Sequence, residues 1–177
     1  MKKTISILFL LLIFSVVEIN AQSDKSYLAF SGAAFDVLQK DKTSLEGRIE
    51  YRLYKENWFV HPFTGIMSNI HSAFHLFVGF FKDIHLTESI SLTPSFAPGL
   101  YYEGNSKRLG YSVQFRSQLE LSITNDSGSK VGISFNHISN ASLSKSNHGV
   151  ESFALTYIVP FENIFGTKVS GNTICID

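Results

Sequence analysis

Strict period-two alternation of apolar and charged residues constrains this chain more than any other feature. Tyr111, Val113, Phe115, Ser117, Leu119, Leu121 and Ile123 form one almost wholly apolar row, and Ser112, Gln114, Arg116, Gln118, Glu120 and Ser122 form its complement. From Leu45 the pattern repeats, with Leu45, Ile49, Tyr51 and Leu53 set against Glu46, Arg48, Glu50 and Arg52. Successive side chains of a β-strand point to opposite faces, so each run is a strand with one apolar face and one charged face. Turn-forming stretches ("QKDKTS", "KEN", "SNIHS", "LTE", "EGNSKR", "NDSGS" and "SNASLSKSNHG") divide the chain into eight strands near 27–38, 44–54, 58–68, 73–86, 89–102, 110–124, 129–140 and 149–160. No amphipathic helix of useful length interrupts them. Pro94 and Pro98 remove two backbone donors from the fifth strand, so a bulge or locally open pairing is expected there.

The N-terminus stands apart from this pattern. Lys2 and Lys3 precede an apolar run from Ile5 to Val17, and Ala21 offers a small residue for cleavage. That is the layout of a secretory signal, assigned to residues 1–21, and the run is short for a spanning helix of about 20 residues. Residues 22–177 then make one domain with a short C-terminal tail after about 161. Equal numbers of basic and acidic residues, 15 of each, leave no electrostatic footprint for nucleic acid. The single Cys175 excludes an internal disulfide, so packing, backbone pairing or a membrane must hold the fold.

Eight such strands can close as a sandwich, a soluble barrel or a membrane barrel. Charges of both signs on the polar rows suit side chains that must pair with one another inside a narrow barrel while the apolar rows meet lipid. Each run is also about as long as the roughly 9–11 residues that cross a bilayer. Aromatic residues, 14% of the chain, gather near strand ends at Tyr54, Trp58, Phe59, Tyr101, Tyr102, Tyr111 and Phe161, as interfacial girdles do. The expected fold is therefore all-β, an eight-stranded antiparallel transmembrane β-barrel of the outer membrane.

Against that frame the stretch "FNHISNASLSKSNHGVESFALTY" carries the chemistry. By parity, Val131, Ile133, Phe135, His137 and Ser139 share one face of strand seven, and Glu151, Phe153, Leu155 and Tyr157 share one face of strand eight. His137, Ser139 and Glu151 thus extend apolar, lipid-facing rows, where charge is costly except near the interface. With an even strand count their connecting loop is extracellular, which places the trio at the outer-leaflet rim. Residues two apart on a strand are separated by roughly 6.6 Å, and a cross-strand pair brings Cβ atoms to about 5 Å. Ser139, His137 and Glu151 therefore suit nucleophile, base and orienting carboxylate. The same register sets Gly149 opposite Ser139, leaving room for a substrate carbonyl.

"FNHISNA", the downstream Asn147-His148-Gly149 and Glu151 resemble the motif of the outer-membrane lipid A 3-O-deacylases, and "LGYSVQFRSQLELSI" resembles a strand of that family. The resemblance implies an eight-stranded barrel whose Ser-His-Glu triad faces the membrane and hydrolyses an acyl ester of lipid A without a cofactor. Carried over by motif, Ser139 is the nucleophile, His137 the base and Glu151 its orienter. Asn140, Ala141 and Asn147 support the oxyanion site or the loop. Implied partners are lipopolysaccharide and outer-membrane lipids, with homodimerisation left open. The continuation beyond Phe161, "ENIFGTKVSGNTICID", departs from barrels that finish on an aromatic.

Two other readings stand beside this one. A calcium-dependent outer-membrane phospholipase also uses His-x-Ser-Asn, but with asparagine as third member and a larger barrel. A purely structural barrel would make the trio rim residues. His71 and His75 lack the acidic or cysteine partners of a metal set.

Overall fold

The computed structural model describes residues 25–55, 58–146 and 148–166. The strands are β1 (Lys25–Phe35), β2 (Ser44–Tyr54), β3 (His61–Asn69), β4 (Phe74–Phe81), a two-residue β5 (Ile84–His85), β6 (Ile90–Tyr102), β7 (Val113–Thr124), β8 (Lys130–Ser139) and β9 (Val150–Pro160), followed by a short helix α1 (Phe161–Phe165). Every pairing is antiparallel between sequence neighbours, β4 also pairs with β6, and β1 pairs with β9. These last two contacts close eight long strands into a barrel, so no long edge is left unpaired.

Burial alternates along each strand as the sequence pattern requires. In β2 the charged row Glu46, Arg48, Glu50 and Arg52 is buried inside, while Leu45, Ile49 and Tyr51 face outward and are exposed. An outer wall this apolar has no place in water and suits hydrocarbon.

The interior charges satisfy one another across the lumen. Arg52 donates to Glu50 and Glu120, each at 2.8 Å, and Arg116 donates to Glu50 at 2.6 Å. Arg48 donates to Glu46 and to Gln118, both at 2.6 Å, and Ser152 closes the lattice on Glu46 at 2.7 Å. Three guanidinium groups thus face three carboxylates, and burial is tolerable because every charge has opposite neighbours. Phe63, Phe77, Phe81 and Met67 fill the side of the lumen beneath β3 and β4, where the Arg116 guanidinium sits 4.5 Å from the Phe77 ring centre.

The proline strand pairs unevenly. Its ladder with β7 runs unbroken through Pro94↔Leu119 and Pro98↔Phe115. Its ladder with β4 has Phe77↔Gly99 and then Phe80↔Phe96, with the intervening pairs missing and the register unchanged. The expected local opening is therefore present on one side, without a bulge. Gly79 sits at that opening because a Cβ there would lie 2.1 Å from the Phe96 carbonyl oxygen.

Two sequence expectations are corrected. Tyr54 and Tyr101 do not join an outer girdle: they share parity with the inward rows. Tyr54 hydroxyl bonds Asp83 at 2.8 Å and Tyr101 hydroxyl bonds the Lys107 carbonyl at 2.9 Å. The fourth strand, expected over 73–86, breaks at Lys82 and Asp83, where Asp83 turns inward to Thr93 and Lys130. Phe161, just past the last strand, opens α1, with its ring 6.0 Å from Tyr51. The proposed signal, Cys175 and the tail after residue 166 lie outside the described residues.

Candidate active site

The site forms where β8 and β9 leave the barrel wall. Pairing of β8 with β9 sets His137 opposite Glu151, and Ile138 opposite Val150 ends the ladder. His137 is outward-facing and its side chain is 45% exposed, whereas that of Glu151 is only 11% exposed. Nδ1 of His137 and Oε1 of Glu151 are 2.8 Å apart. With Nδ1–H donating to the carboxylate, Nε2 is left as the basic nitrogen of a neutral imidazole.

Ser139 lies two residues on, on the same face and half-buried. Among the described residues no hydrogen bond joins its hydroxyl to His137. Such bonds are often loose in unliganded sites and tighten around substrate. Two of the three candidate residues are thus in direct contact, and the third is held beside them by strand geometry.

Gly149 explains how the imidazole is seated. A Cβ on Gly149 would fall 2.4 Å from His137 Cε1 and 3.2 Å from Nε2, so glycine lets the Cε1 edge of the ring come up against this backbone. The space at Gly149 that the sequence suggests for a substrate carbonyl is taken by the His137 ring.

Asn140 is fully buried, and its Nδ2 donates to the carbonyls of Leu109 at 2.9 Å and Ser146 at 2.7 Å. The side-chain donors are committed to tying two loops together. Ala141 and Ser142 follow with left-handed backbones, φ 50° and 64°, and turn the chain sharply away from the strand. Asn147 lies outside the described residues.

Sequence reasoning missed the support on the other side of the pair. The β1–β2 loop reaches the site through Val37, whose N–H donates to the Glu151 carbonyl at 3.1 Å, and Gln39, whose Nε2 donates to the Gly149 carbonyl at 3.3 Å. Lys107, buried in the β6–β7 loop, clamps this segment by donating to Asp36 and Gln39, each at 2.6 Å. A lysine and an aspartate separated by 71 positions give no local signal. The second carboxylate oxygen of Glu151, Oε2, is buried with no partner among the described residues.

The arrangement sets an imidazole bonded to a carboxylate beside a serine hydroxyl on the outer wall of the barrel. Among the described residues no group of three His, Cys, Asp or Glu side chains is placed to hold a metal.

Comparison with known proteins places the fold. The chain covers 99% of a solved structure described as the outer membrane enzyme PagL, over 78% of its own length, with 19% identity and a TM-score of 0.61. It also resembles Neisserial surface protein A, with 8% identity over 78% of this chain and 97% of that one, and a TM-score of 0.58. A de novo designed transmembrane β-barrel aligns over 77% of this chain and 94% of its own, with 7% identity and a TM-score of 0.57. These likenesses establish the fold. No curated protein matches the chain significantly. The family model for lipid A 3-O-deacylase (PagL) matches residues 29–160, from the first strand to the last. The chain is a member of the lipid A 3-O-deacylase family.

Proposed function

We propose that this protein is a serine esterase of the outer membrane that removes the ester-linked 3-position acyl chain of lipid A, working from the outer leaflet. The observation that carries the reading is the His137–Glu151 hydrogen bond on the outward wall of the barrel, with Ser139 on the same row. A structural barrel gains nothing from a half-exposed imidazole bonded to a buried carboxylate at that position. The phospholipase reading fits less well, because the third member is a glutamate and the barrel has eight long strands.

In the proposed reaction His137 Nε2 takes the Ser139 proton as Oγ attacks the ester carbonyl. Glu151 holds the productive tautomer and stabilises the imidazolium that forms. Backbone N–H groups near Asn140 and Ala141 stabilise the oxyanion, a donor set in which each loss typically costs about 10²–10³ in rate. Collapse of the tetrahedral intermediate breaks the ester C–O bond, and His137 gives its proton to the departing sugar hydroxyl. Water, activated by the same imidazole, then cleaves the acyl-serine and releases the fatty acid. The apolar rows of Phe135 and Phe153 flank the site on the same face, so the acyl chain stays in hydrocarbon throughout. The test is release of hydroxy fatty acid from lipid A by the purified, folded barrel: the wild type releases it and His137→Ala does not.

A further inference from the structure

The strand ladder holds only part of the surroundings of His137. Pairing of β8 with β9 ends at Ile138 opposite Val150. Gly149, whose backbone lies against the Cε1 edge of the imidazole, is therefore beyond the last ladder pair. Its carbonyl accepts instead from a side chain, Nε2 of Gln39, at 3.3 Å. Close by in the same loop, the N–H of Val37 donates to the Glu151 carbonyl at 3.1 Å. The β1–β2 loop thus grips the backbone of two residues, one touching each side of the His137 ring: Gly149 at Cε1 and Glu151 at Nδ1.

A glutamine amide can present either its oxygen or its nitrogen to a neighbour. Lys107 removes that freedom. Its Nζ donates to Gln39 Oε1 at 2.6 Å, and because an ammonium only donates, the Nε2 end is turned toward Gly149. The same Nζ donates to Asp36 Oδ1 at 2.6 Å and has Asp41 at 3.7 Å. Asp36 and Gln39 flank Val37 and Leu38, so one buried ammonium secures the gripping segment at both ends. Asp36 in turn shapes the loop, with a left-handed φ of 58° and Oδ2 accepting from the Lys42 N–H at 2.8 Å.

Lys107 is anchored from the other side of the site. The Tyr101 hydroxyl donates to its carbonyl at 2.9 Å, and two residues on, the Leu109 carbonyl accepts from Asn140 at 2.9 Å. In sheet order the β8–β9 hairpin lies between the β6–β7 and β1–β2 hairpins. Lys107 joins the two flanking loops to each other. A buried ammonium is costly unless paired and hydrogen-bonded, and both of its closest acceptors belong to the segment that reaches the site.

We propose that Lys107, acting through Gln39 and Asp36, is a positioning residue for the His137 imidazole: it fixes the backbone at Gly149 and Glu151 and so sets where the ring stands when it takes the Ser139 proton. The inference rests on the esterase reading, and a readout of the ring itself separates the two. The control is the other buried lysine–aspartate pair, Lys130 with Asp83, at the opposite end of the barrel. Lys107→Met and Lys130→Met each break such a pair, so a general loss of stability acts in both.

On a short p-nitrophenyl ester, folded Lys107→Met should lose kcat by roughly tenfold or more with KM near the wild-type value. Lys130→Met should keep the wild-type kcat. Gln39→Leu, at an exposed position, should lose as much as Lys107→Met, and the double variant no more than either alone, since both act through one chain of contacts. If Lys107→Met does not fold, Gln39→Leu carries the test. In protein with isotope-labelled histidine in detergent micelles, the His137 ring resonance, assigned by its loss in His137→Ala, should move in Lys107→Met and Gln39→Leu and stay in place in Lys130→Met. Unchanged kcat in folded Lys107→Met or Gln39→Leu, an equal loss in Lys130→Met, losses that multiply in the double variant, or a resonance indifferent to Lys107 and Gln39 would overturn the proposal. A resonance that moves with Lys107 and not with Lys130, in a protein whose wild type cleaves no ester, would keep the positioning role and remove the esterase.

Discussion

His137 on β8 and Glu151 on β9 stand at directly opposed positions of an antiparallel pair, with Nδ1 and Oε1 2.8 Å apart. Register fixes this contact, so the imidazole and the carboxylate are brought together by the backbone bonds that pair β8 with β9. Glu151→Ala should therefore fold, judged by the heat-dependent gel mobility common to compact barrels. It should lose turnover by a factor on the order of 10⁴, leaving a measurable remainder, as orienting carboxylates do in other triads. Full turnover in the folded variant would remove Glu151 from the mechanism.

Gly149→Ala is a sharper probe of geometry than of chemistry. Its methyl group would sit 2.4 Å from His137 Cε1, and the ring must move to admit it. Displacement of about 1 Å can cost on the order of 10² in rate, so kcat on a soluble ester should fall by about that factor while the barrel stays folded. Unchanged kcat would mean that the imidazole is not held against this backbone when it reacts.

Glu50 tests the interior lattice. It accepts from both Arg52 and Arg116 deep in the lumen, and Glu50→Ala would leave two buried guanidinium groups short of a counter-charge. Breaking a buried pair from one side costs roughly 3–5 kcal/mol. The variant should unfold at markedly lower denaturant than the wild type in the same detergent, and an equal midpoint would show that the lattice reorganises at little cost.

At the opposite end of the barrel Asp83 supplies a pH dependence. Burial pushes its carboxyl upward, but the Lys130 ammonium at 2.5 Å and hydrogen bonds from Lys130, Thr93 and Tyr54 outweigh it and hold the pKa below the usual carboxylate value. A depressed folded-state pKa contributes stability above the unfolded value of about 4, and that contribution is lost as pH falls through the lower folded value. Asp83→Asn should therefore be less stable than the wild type at neutral pH, with the gap closing on acidification below about pH 4. A gap independent of pH would assign the effect to packing.

Most of the barrel was legible because alternation acts locally. Glu46, Arg48, Glu50 and Arg52 occupy every second position, so a narrow closed barrel was the arrangement in which opposite charges face one another. The β4 segment was less legible. Phe77 and Phe81 are buried while Leu76, Val78 and Phe80 are exposed, and a strand apolar on both faces gives no parity signal at its end, where Lys82 and Asp83 break it. Tyr54 and Tyr101 were misplaced because nearness to a strand end was weighed above parity. At the site, parity and register placed His137 against Glu151. The Lys107–Asp36–Gln39 clamp was out of reach, since it joins two loops that only closure of the barrel brings together.

The proposed reaction turns on Ser139 as the nucleophile that removes an acyl chain from lipid A. Mass spectrometry of lipid A from cells carrying the wild-type chain, beside cells carrying Ser139→Ala at equal levels of folded barrel, tests it most directly. Lipid A lighter by one 3-position hydroxyacyl chain is expected with the wild type, and unaltered lipid A with Ser139→Ala. The same mass loss with folded Ser139→Ala, or none with the wild type, would contradict it.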